Sequence, residues 1–361
     1  MKKYLYVCLI FLVSLFYLTG CKDKSFSKAE ELYKEKGLDA YTKFVERKEN
    51  YYLFADSNNN EATPLLVAIK EGKTAAVSTF IKYGASVFTE KDKYGKDAFD
   101  YLLDKTPDEI KKIVKSIPLG YWYSERNIKR LLENEENYHM FSILMEETLF
   151  SPDYVIAIIK GKTVLMYAAQ HTTDIRYIEQ LVEKSFDINK INANEWNAVM
   201  YAARYNPNPA VLQYFLKKNA STERNSAGIS LTMLAACNPN PWVLLNVPIT
   251  DKYMHTATKN GKTALMYACE NNQSVDVIEM LCRVFEEDIN AVDSDGRTAL
   301  MYALKTNKDV AVCEYLLQSG ARVDISDNSG KTIKNYLDSN TSLENLNKTS
   351  YFQESEKENE D

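Results

Sequence analysis

The stretch Gly261-Lys262-Thr263-Ala264-Leu265-Met266-Tyr267-Ala268 decides the fold, because its second half recurs along the chain. The tetrapeptide Leu-Met-Tyr-Ala occurs at residues 165–168, 265–268 and 300–303, and near-copies lie at 199–202 and 232–235. The methionines of these five segments are separated by 34, 33, 33 and 35 residues. A period of this length indicates supersecondary units that stack on one another, because a single unit cannot bury its apolar face alone.

The residues around each tetrapeptide predict a helix, a turn and a second, antiparallel helix. Gly261 suits a turn with positive φ, Thr263 can cap the helix that follows, and Leu265 and Met266 give that helix an apolar face. A second helix-start signal follows eight residues after each anchor position, at Thr74, Asp174, Asn208, Ser274 and Asp309. Residues that can close this second helix in the left-handed conformation are Gly84, Asn219 and Gly320.

This unit resembles the ankyrin repeat, most closely at Thr63-Pro64-Leu65-Leu66-Val67-Ala68. The resemblance implies an all-α fold, an ankyrin-repeat α-solenoid of about nine or ten helix-turn-helix units with short projecting turns. It covers residues 26–340, of which residues 100–160 match poorly and form a degenerate stretch. We expect a first helix pair at 28–36 and 38–49, and a degenerate pair at 128–132 and 140–149.

The N-terminus has the pattern of a secretory signal peptide over residues 1–20, with two lysines followed by a short apolar stretch. Leu18-Thr19-Gly20-Cys21 resembles the bacterial lipobox, which implies lipidation of Cys21 and a short tether at residues 21–25. The alternatives are a cleaved signal peptide with a chance cysteine, or an uncleaved anchor. At the other end, residues 341–361 are polar and acidic, and we expect them to be a disordered tail.

Composition and motif spacing argue against several kinds of chemistry. The net charge of −6 gives no general reason to bind nucleic acid. Gly261-Lys262-Thr263 and its two counterparts resemble the end of a P-loop, but they lack the earlier glycine that a nucleotide site requires. Histidine and cysteine spacing supports no metal site. We therefore expect no cofactor, and four free thiols at Cys237, Cys269, Cys282 and Cys313.

The resemblance implies that partners contact the tips of the projecting turns and the exposed face of each first helix. The candidate partner-binding residues are Trp196, Arg204, Tyr205, Ile229, Lys262, Glu270, Asn271, Arg297 and Lys305. Trp196 and Ile229 are apolar where other turns carry lysine or arginine, so with Tyr205 they could form a hot spot. Alternatively, Trp196 folds back on its own turn. Glu195 replaces the turn glycine, which predicts a locally altered turn.

Three functions remain open from the sequence. The first is a membrane-anchored scaffold that holds other proteins at the bacterial cell envelope, on its periplasmic or surface side. The second is an exported accessory or inhibitor protein that binds one specific enzyme. The third is an enzyme with a site in residues 116–160, where Tyr121-Trp122-Tyr123 forms an aromatic run. Because aromatic runs more often serve packing than catalysis, we expect a protein that is not an enzyme.

Overall fold

The structure is a computed structural model that describes residues 24–48, 59–122, 124–147, 161–248, 255–285, 287–308 and 310–348. Several predicted features lie outside these ranges. They are the signal peptide with Cys21, Asp309, the stretch 148–160 and the last part of the tail, residues 349–361. No helix in the described ranges is long and apolar enough to span a lipid bilayer.

The described part of the chain is built from helices and turns, which confirms the predicted all-α solenoid. Short 3-10 helices lie at Leu119–Tyr121, Glu135–Asn137 and Thr341–Lys348. The α-helices are α1 (Lys24–Lys48), α2 (Pro64–Lys70), α3 (Thr74–Lys82), α4 (Ala98–Leu103), α5 (Pro107–Ser116), α6 (Glu125–Leu132), α7 (Tyr138–Glu147), α8 (Val164–His171), α9 (Ile175–Glu183), α10 (Ala198–Tyr205), α11 (Pro209–Lys217), α12 (Leu231–Ala236), α13 (Pro241–Leu245), α14 (Ala264–Asn271), α15 (Val275–Arg283), α16 (Ala299–Thr306), α17 (Val310–Gln318) and α18 (Ile333–Asp338).

The chain divides into two compact units, of which the first comprises residues 1–127 and 142–148. In this unit α1 is broken at Gly37, whose φ of 77° and ψ of −177° are not helical, so it forms the predicted first pair of helices. Helix α2 packs on α4, and α3 packs on both α1 and α5. Trp122 is fully buried and its ring lies 4.9 Å from that of Phe88. The tryptophan of the aromatic run is thus part of the core.

The second unit comprises residues 128–141 and 149–361. Its first helices α8, α10, α12, α14, α16 and α18 pack in sequence order, and each packs on a second helix of its own repeat. The 3-10 helix Thr341–Lys348 takes the place of the last second helix, and its Leu343 and Leu346 are buried. Residues 341–348 were expected to belong to the tail, but these two leucines anchor them in the fold because they cover the end of the stack.

The helix starts follow the predicted capping chemistry except at Thr74 and at Ser274, which holds the cap position of α15 without a side-chain hydrogen bond. Thr63, Thr163, Ser230, Thr263, Thr298 and Thr332 each accept a hydrogen bond from the third residue of a first helix. Asp174 and Asn208 cap second helices as predicted. The prediction that Thr74 caps α3 is wrong: its N–H donates to the Gly72 carbonyl, so Thr74 is the first helical residue and Lys73 takes the cap position.

A row of asparagines, buried except for the half-buried Asn340, joins consecutive repeats of the second unit. Asn272 is representative: its amide nitrogen donates to the carbonyls of Ala236 (3.1 Å) and Asn238 (2.7 Å) in the preceding repeat. Its oxygen accepts the N–H of Ser274 at the start of α15 (2.9 Å). The members of this asparagine ladder are Asn206, Asn238, Asn272, Asn307 and Asn340. The ladder satisfies carbonyls at the C-terminal ends of first helices, which have no partner inside the helix.

The cysteines act as small apolar core residues. Cys237, Cys269 and Cys313 are buried free thiols, and Cys282 is a partly buried one. Burial raises the pKa of the Cys237 and Cys282 thiols to about 11, so both are protonated at neutral pH. A protonated thiol is a poor nucleophile and a poor metal ligand.

Candidate functional site

The projecting turns share one hydrogen-bond pattern, which the turn at Asp293 illustrates. The Asp293 N–H donates to the Arg297 carbonyl (3.0 Å), and the Gly296 N–H donates to the Asp293 carbonyl (3.0 Å). The Asp293 carboxylate accepts the N–H groups of Asp295 (2.9 Å) and Arg297 (2.8 Å). Side chains at Asp92, Asn192, Asn225 and Asp327 accept backbone N–H groups in the same way. Each turn is therefore held rigidly by its own first residue.

The tyrosines of three first helices donate to the first residue of the preceding turn. Tyr302 donates its hydroxyl to Asp293 (2.6 Å), and Tyr336 donates to Asp327 (2.6 Å). In the first unit Tyr101 donates to Asp92 (2.8 Å), and burial together with this bond raises its pKa to about 12. These tyrosines and turn residues were not among the candidates predicted from the sequence. The available signal was the constant spacing of nine residues between turn residue and tyrosine, as in Asp293 and Tyr302.

Adjacent turns are also joined to one another by backbone hydrogen bonds. Lys259 donates to the Ala227 carbonyl (3.0 Å), Ser294 to that of Asn260 (2.9 Å) and Asn328 to that of Asp295 (2.8 Å). The turn glycines make this approach possible. A Cβ on Gly261 would lie 3.1 Å from the Cα of Asp293, and one on Gly228 would lie 3.0 Å from the Cα of Thr258. The turns from residue 225 onward therefore form a closely linked row.

This row changes at Glu195. The prediction of an altered turn is wrong: Glu195 takes the glycine conformation with a φ of 59°, and the Asn192 and Glu195 N–H groups make the usual turn bonds. Asn192 can still accept backbone N–H groups, and this holds the turn despite the strained glutamate. What differs is the link to the next turn, since the Ser226 N–H donates to the Glu195 carboxylate. A side chain thus replaces the backbone link at this step.

Cations at the turns cover the tyrosine rings. Lys262 lies between two of them, with its ammonium 4.7 Å from the Tyr267 ring centre and 4.1 Å from that of Tyr302. The same ammonium forms an ion pair with Glu270. A cavity of about 320 Å³ is lined by Lys262, Glu270, Arg297, Lys305 and neighbouring residues. A second cavity of about 540 Å³ is lined by Arg297, Lys305, Lys331 and Tyr336, among others.

The aromatic candidates come together on α10 and its turn. The Trp196 ring lies 5.3 Å from that of Tyr201 and 6.4 Å from that of Tyr205, and the Tyr201 and Tyr205 rings are 6.2 Å apart. We call Trp196, Tyr201 and Tyr205 the aromatic cluster. Tyr205 is 45% exposed, while Trp196 is half-buried because it folds onto the helix of its own repeat.

The remaining candidates extend this surface. The Arg204 guanidinium lies 5.3 Å from the Tyr205 ring centre and donates to the Asn271 amide oxygen (3.1 Å). This bond passes over the short helix α12, so it joins two repeats that are not neighbours. Ile229 is half-buried on the following turn, where its N–H donates to Asn225 (2.9 Å). The structure thus brings the candidates into two neighbouring groups, the aromatic cluster with Arg204 and the cavity around Lys262.

No group of three or more histidine, cysteine, aspartate or glutamate side chains suited to a metal ion occurs in the described ranges. The geometry provides a continuous surface of aromatic rings, cations and turn backbone. Such a surface suits recognition of another macromolecule, since Trp, Tyr and Arg are the residues that dominate binding hot spots.

The comparison with known families agrees with this geometry. A sequence model of the family described as "Ankyrin repeats (3 copies)" matches residues 126–226 and 232–327, more than half of the chain. The chain belongs to the ankyrin-repeat family, and ankyrin repeats are modules for protein–protein interaction. The match includes residues 126–160, most of the stretch that the sequence analysis treated as degenerate.

The similarity to an individual solved structure is weaker than the match to the family. A chain in the structure of the Bd0816 predatory endopeptidase from Bdellovibrio bacteriovorus in complex with immunity protein Bd3460 is 22% identical to this one. The alignment covers 53% of this chain and 100% of that chain, with a TM-score of 0.43. No curated protein matches the sequence.

Proposed function

We propose that this protein is a membrane-anchored ankyrin-repeat lipoprotein that holds a partner protein at the bacterial cell envelope. The observation that carries the proposal is the surface formed by the projecting turns and first helices of the second unit. It presents the aromatic cluster, Arg204 and the cations of the Lys262 cavity side by side. The rigid turns fix these side chains in place before binding, which lowers the entropic cost of association.

The membrane anchor is proposed from the lipobox at residues 18–21. Cys21→Ser removes the thiol that would receive the lipid, so the expected result is loss of the protein from the detergent-soluble membrane fraction. Metabolic labelling with an alkyne fatty acid should mark the unaltered protein and leave the variant unmarked. Cys282→Ser, which alters a partly buried thiol, is the matched control and should keep the label. Equal labelling of the Cys21→Ser protein would exclude a lipid at this residue.

Partner capture is proposed to depend on the aromatic cluster. The double variant Trp196→Ala, Tyr205→Ala removes the half-buried and the exposed member of the cluster and leaves the buried Tyr201. We expect capture to fall at least tenfold, in line with the roughly 2 kcal/mol lost when a hot-spot side chain is truncated. The melting temperature should change little, because neither side chain is fully buried. The measurement is cross-linking and affinity purification from native envelopes with quantitative mass spectrometry.

The chain offers a matched control for this experiment. Trp242 is 63% exposed on α13, a second helix, and lies outside the proposed surface. Trp242→Ala removes an exposed tryptophan of the same kind and should leave capture unchanged. Recovery of several proteins supports the scaffold, whereas one stoichiometric enzyme would favour the accessory or inhibitor role. Unchanged capture by the double variant, or a collapse of its melting transition, would contradict the proposal.

A further inference from the structure

Two of the four lysines that follow the glycine of a projecting turn, Lys162 and the exposed Lys331, have no acidic residue eight positions later, whereas the other two have one. Lys96 and Lys262 each form an ion pair with an acidic residue eight positions later, Asp104 and Glu270. Lys162 occupies the same place in its own repeat, but the residue eight positions later is Gln170. Its ammonium donates to the neutral amide oxygen of Gln170 at 2.6 Å. The charge of Lys162 is therefore solvated by a dipole instead of being neutralised.

An aromatic ring and several ionisable side chains surround Lys162. Its side chain is half-buried, and its ammonium lies 4.8 Å from the centre of the Tyr201 ring. Burial and the nearby charge of Lys129 lower the pKa of Lys162. The Glu133 carboxylate accepts the hydroxyl hydrogen of Tyr167. Burial lowers the pKa of His171, so this residue adds no positive charge at neutral pH.

Around Lys162, the side chain at the position of Glu270 is the uncharged amide of Gln170. At the equivalent place around Lys262, Glu270 balances the charge within the repeat. An uncompensated, half-buried ammonium binds an external anion favourably because part of its desolvation has already occurred on folding. Lys162 is half-buried and Lys331 is exposed, so an anionic group from outside would gain more at Lys162 than at Lys331.

The position of this charge specifies the rest of the ligand. Tyr201 is in contact with both Lys162 and Trp196, so the charge and the aromatic cluster share one ring. Beyond it lie Tyr205 and the Arg204 guanidinium, which is held by Asn271. An anion placed on Lys162 would therefore have apolar aromatic surface immediately beside it.

We infer that the surface formed by Lys162 and the aromatic cluster recognises a protein segment in which an aspartate or glutamate lies next to an aromatic side chain. The carboxylate takes the place at Lys162 that Glu270 fills at Lys262, and the aromatic side chain packs on Trp196 and Tyr205. This inference rests on the proposed function, since it names the chemistry of the partner segment. It needs no identified partner to be tested.

The test uses two capped peptides that differ only in charge, acetyl-Gly-Glu-Phe-Gly-amide and acetyl-Gly-Gln-Phe-Gly-amide. The chain contains three tryptophans, so its indole N–H signals give a simple NMR readout on the full-length protein. The Trp196 signal should move and saturate with the glutamate peptide, with a Kd on the order of millimolar for so small a ligand. The signals of buried Trp122 and distant Trp242 should stay in place.

Variants test the roles of the lysine and of the carboxylate beside it, in the repeat of Lys162 and in the repeat of Lys262. Gln170→Glu supplies the missing carboxylate, and Lys162→Gln removes the ammonium; each should weaken the glutamate peptide about tenfold, as expected for loss of one charge-assisted contact. Glu270→Gln frees Lys262 and should create a second binding event on the same protein. Glu279→Gln, which removes a carboxylate paired with Arg283 on α15, is the control and should change nothing.

The results can contradict this inference without contradicting the proposed function, and the reverse. Equal affinity for the two peptides, no shift of the Trp196 signal, or an unaltered affinity in Gln170→Glu would each overturn the inference. If partner capture depends on Trp196 and Tyr205 but Gln170→Glu does not weaken the peptide, the binding function stands and the acidic ligand is wrong. If the peptides behave as expected and capture does not depend on the aromatic cluster, the site is real and the scaffold role is wrong.

Discussion

Asn272→Asp is expected to lower the free energy of unfolding by about 4 kcal/mol, since it affects two buried acceptors and adds a buried charge. The side chain of Asn272 now donates to two carbonyls of the preceding repeat, at 3.1 and 2.7 Å. A carboxylate in the same place would present oxygen to oxygen and could donate neither bond. The substitution hardly changes the volume of the side chain, so the loss of stability measures the lost hydrogen bonds and the buried charge.

The measurement is urea denaturation followed by circular dichroism at two pH values. Burial raises the pKa of the introduced carboxyl, so at pH 4 it is protonated, can donate one bond, and the loss should be smaller than at pH 8. Asn194→Asp makes the same chemical change at an exposed turn tip and should alter stability by less than about 0.5 kcal/mol. Equal stability of Asn272→Asp and Asn194→Asp would show that the asparagine ladder contributes nothing.

Gly261→Ala is expected to lower the free energy of unfolding by about 3 kcal/mol, the second large effect. A residue with a Cβ at a φ of +75° costs roughly 1–2 kcal/mol in backbone strain. The added methyl group would also lie 3.1 Å from the Asp293 Cα and 3.2 Å from the Ser294 nitrogen. Because these are backbone atoms of a turn fixed by its own hydrogen bonds, they cannot move aside without breaking the link between the turns.

Gly330→Ala separates the contribution of backbone strain from that of close contact with the neighbouring turn. Gly330 has nearly the same φ of +80°, but a Cβ there meets no described atom within 4 Å. The variant should therefore lose only about 1 kcal/mol of unfolding free energy, from backbone strain alone. Both variants can be compared by the midpoint of thermal unfolding at one scan rate. A loss at Gly261 no larger than that at Gly330 would mean that close packing of the turns does not stabilise the array.

The periodic apolar and glycine positions were enough to predict the helix pairs and their order. The tetrapeptide places Leu265 and Met266 in the core, and both are fully buried. Capping also followed local chemistry, because Thr263 and Asn208 need only their own helix to be effective. These features are local, so the sequence around each repeat determines them.

Contacts between repeats were harder to predict. Asn206, Asn238 and Asn272 recur every 32 to 34 residues, but the period does not reveal that each donates to the repeat before it. At Glu195 the composition of the turn suggested a different conformation, yet Asn192 imposes the usual one. Likewise, the absence of a charge partner for Lys162 becomes meaningful only when Glu270 is seen beside Lys262. Such features depend on pairs of residues in different elements.

The side-chain link at Glu195 has a mechanical consequence. From residue 225 onward, each turn is tied to the next by a short backbone bond, whereas between the turns of Glu195 and Ser226 the tie described in the structure is an exposed carboxylate. A carboxylate on a flexible stem tolerates more stretching and tilting than a peptide group packed against glycine. When a bound protein pulls on the array, bending should therefore concentrate at this step, next to the aromatic cluster, while the buried asparagines keep the helices together.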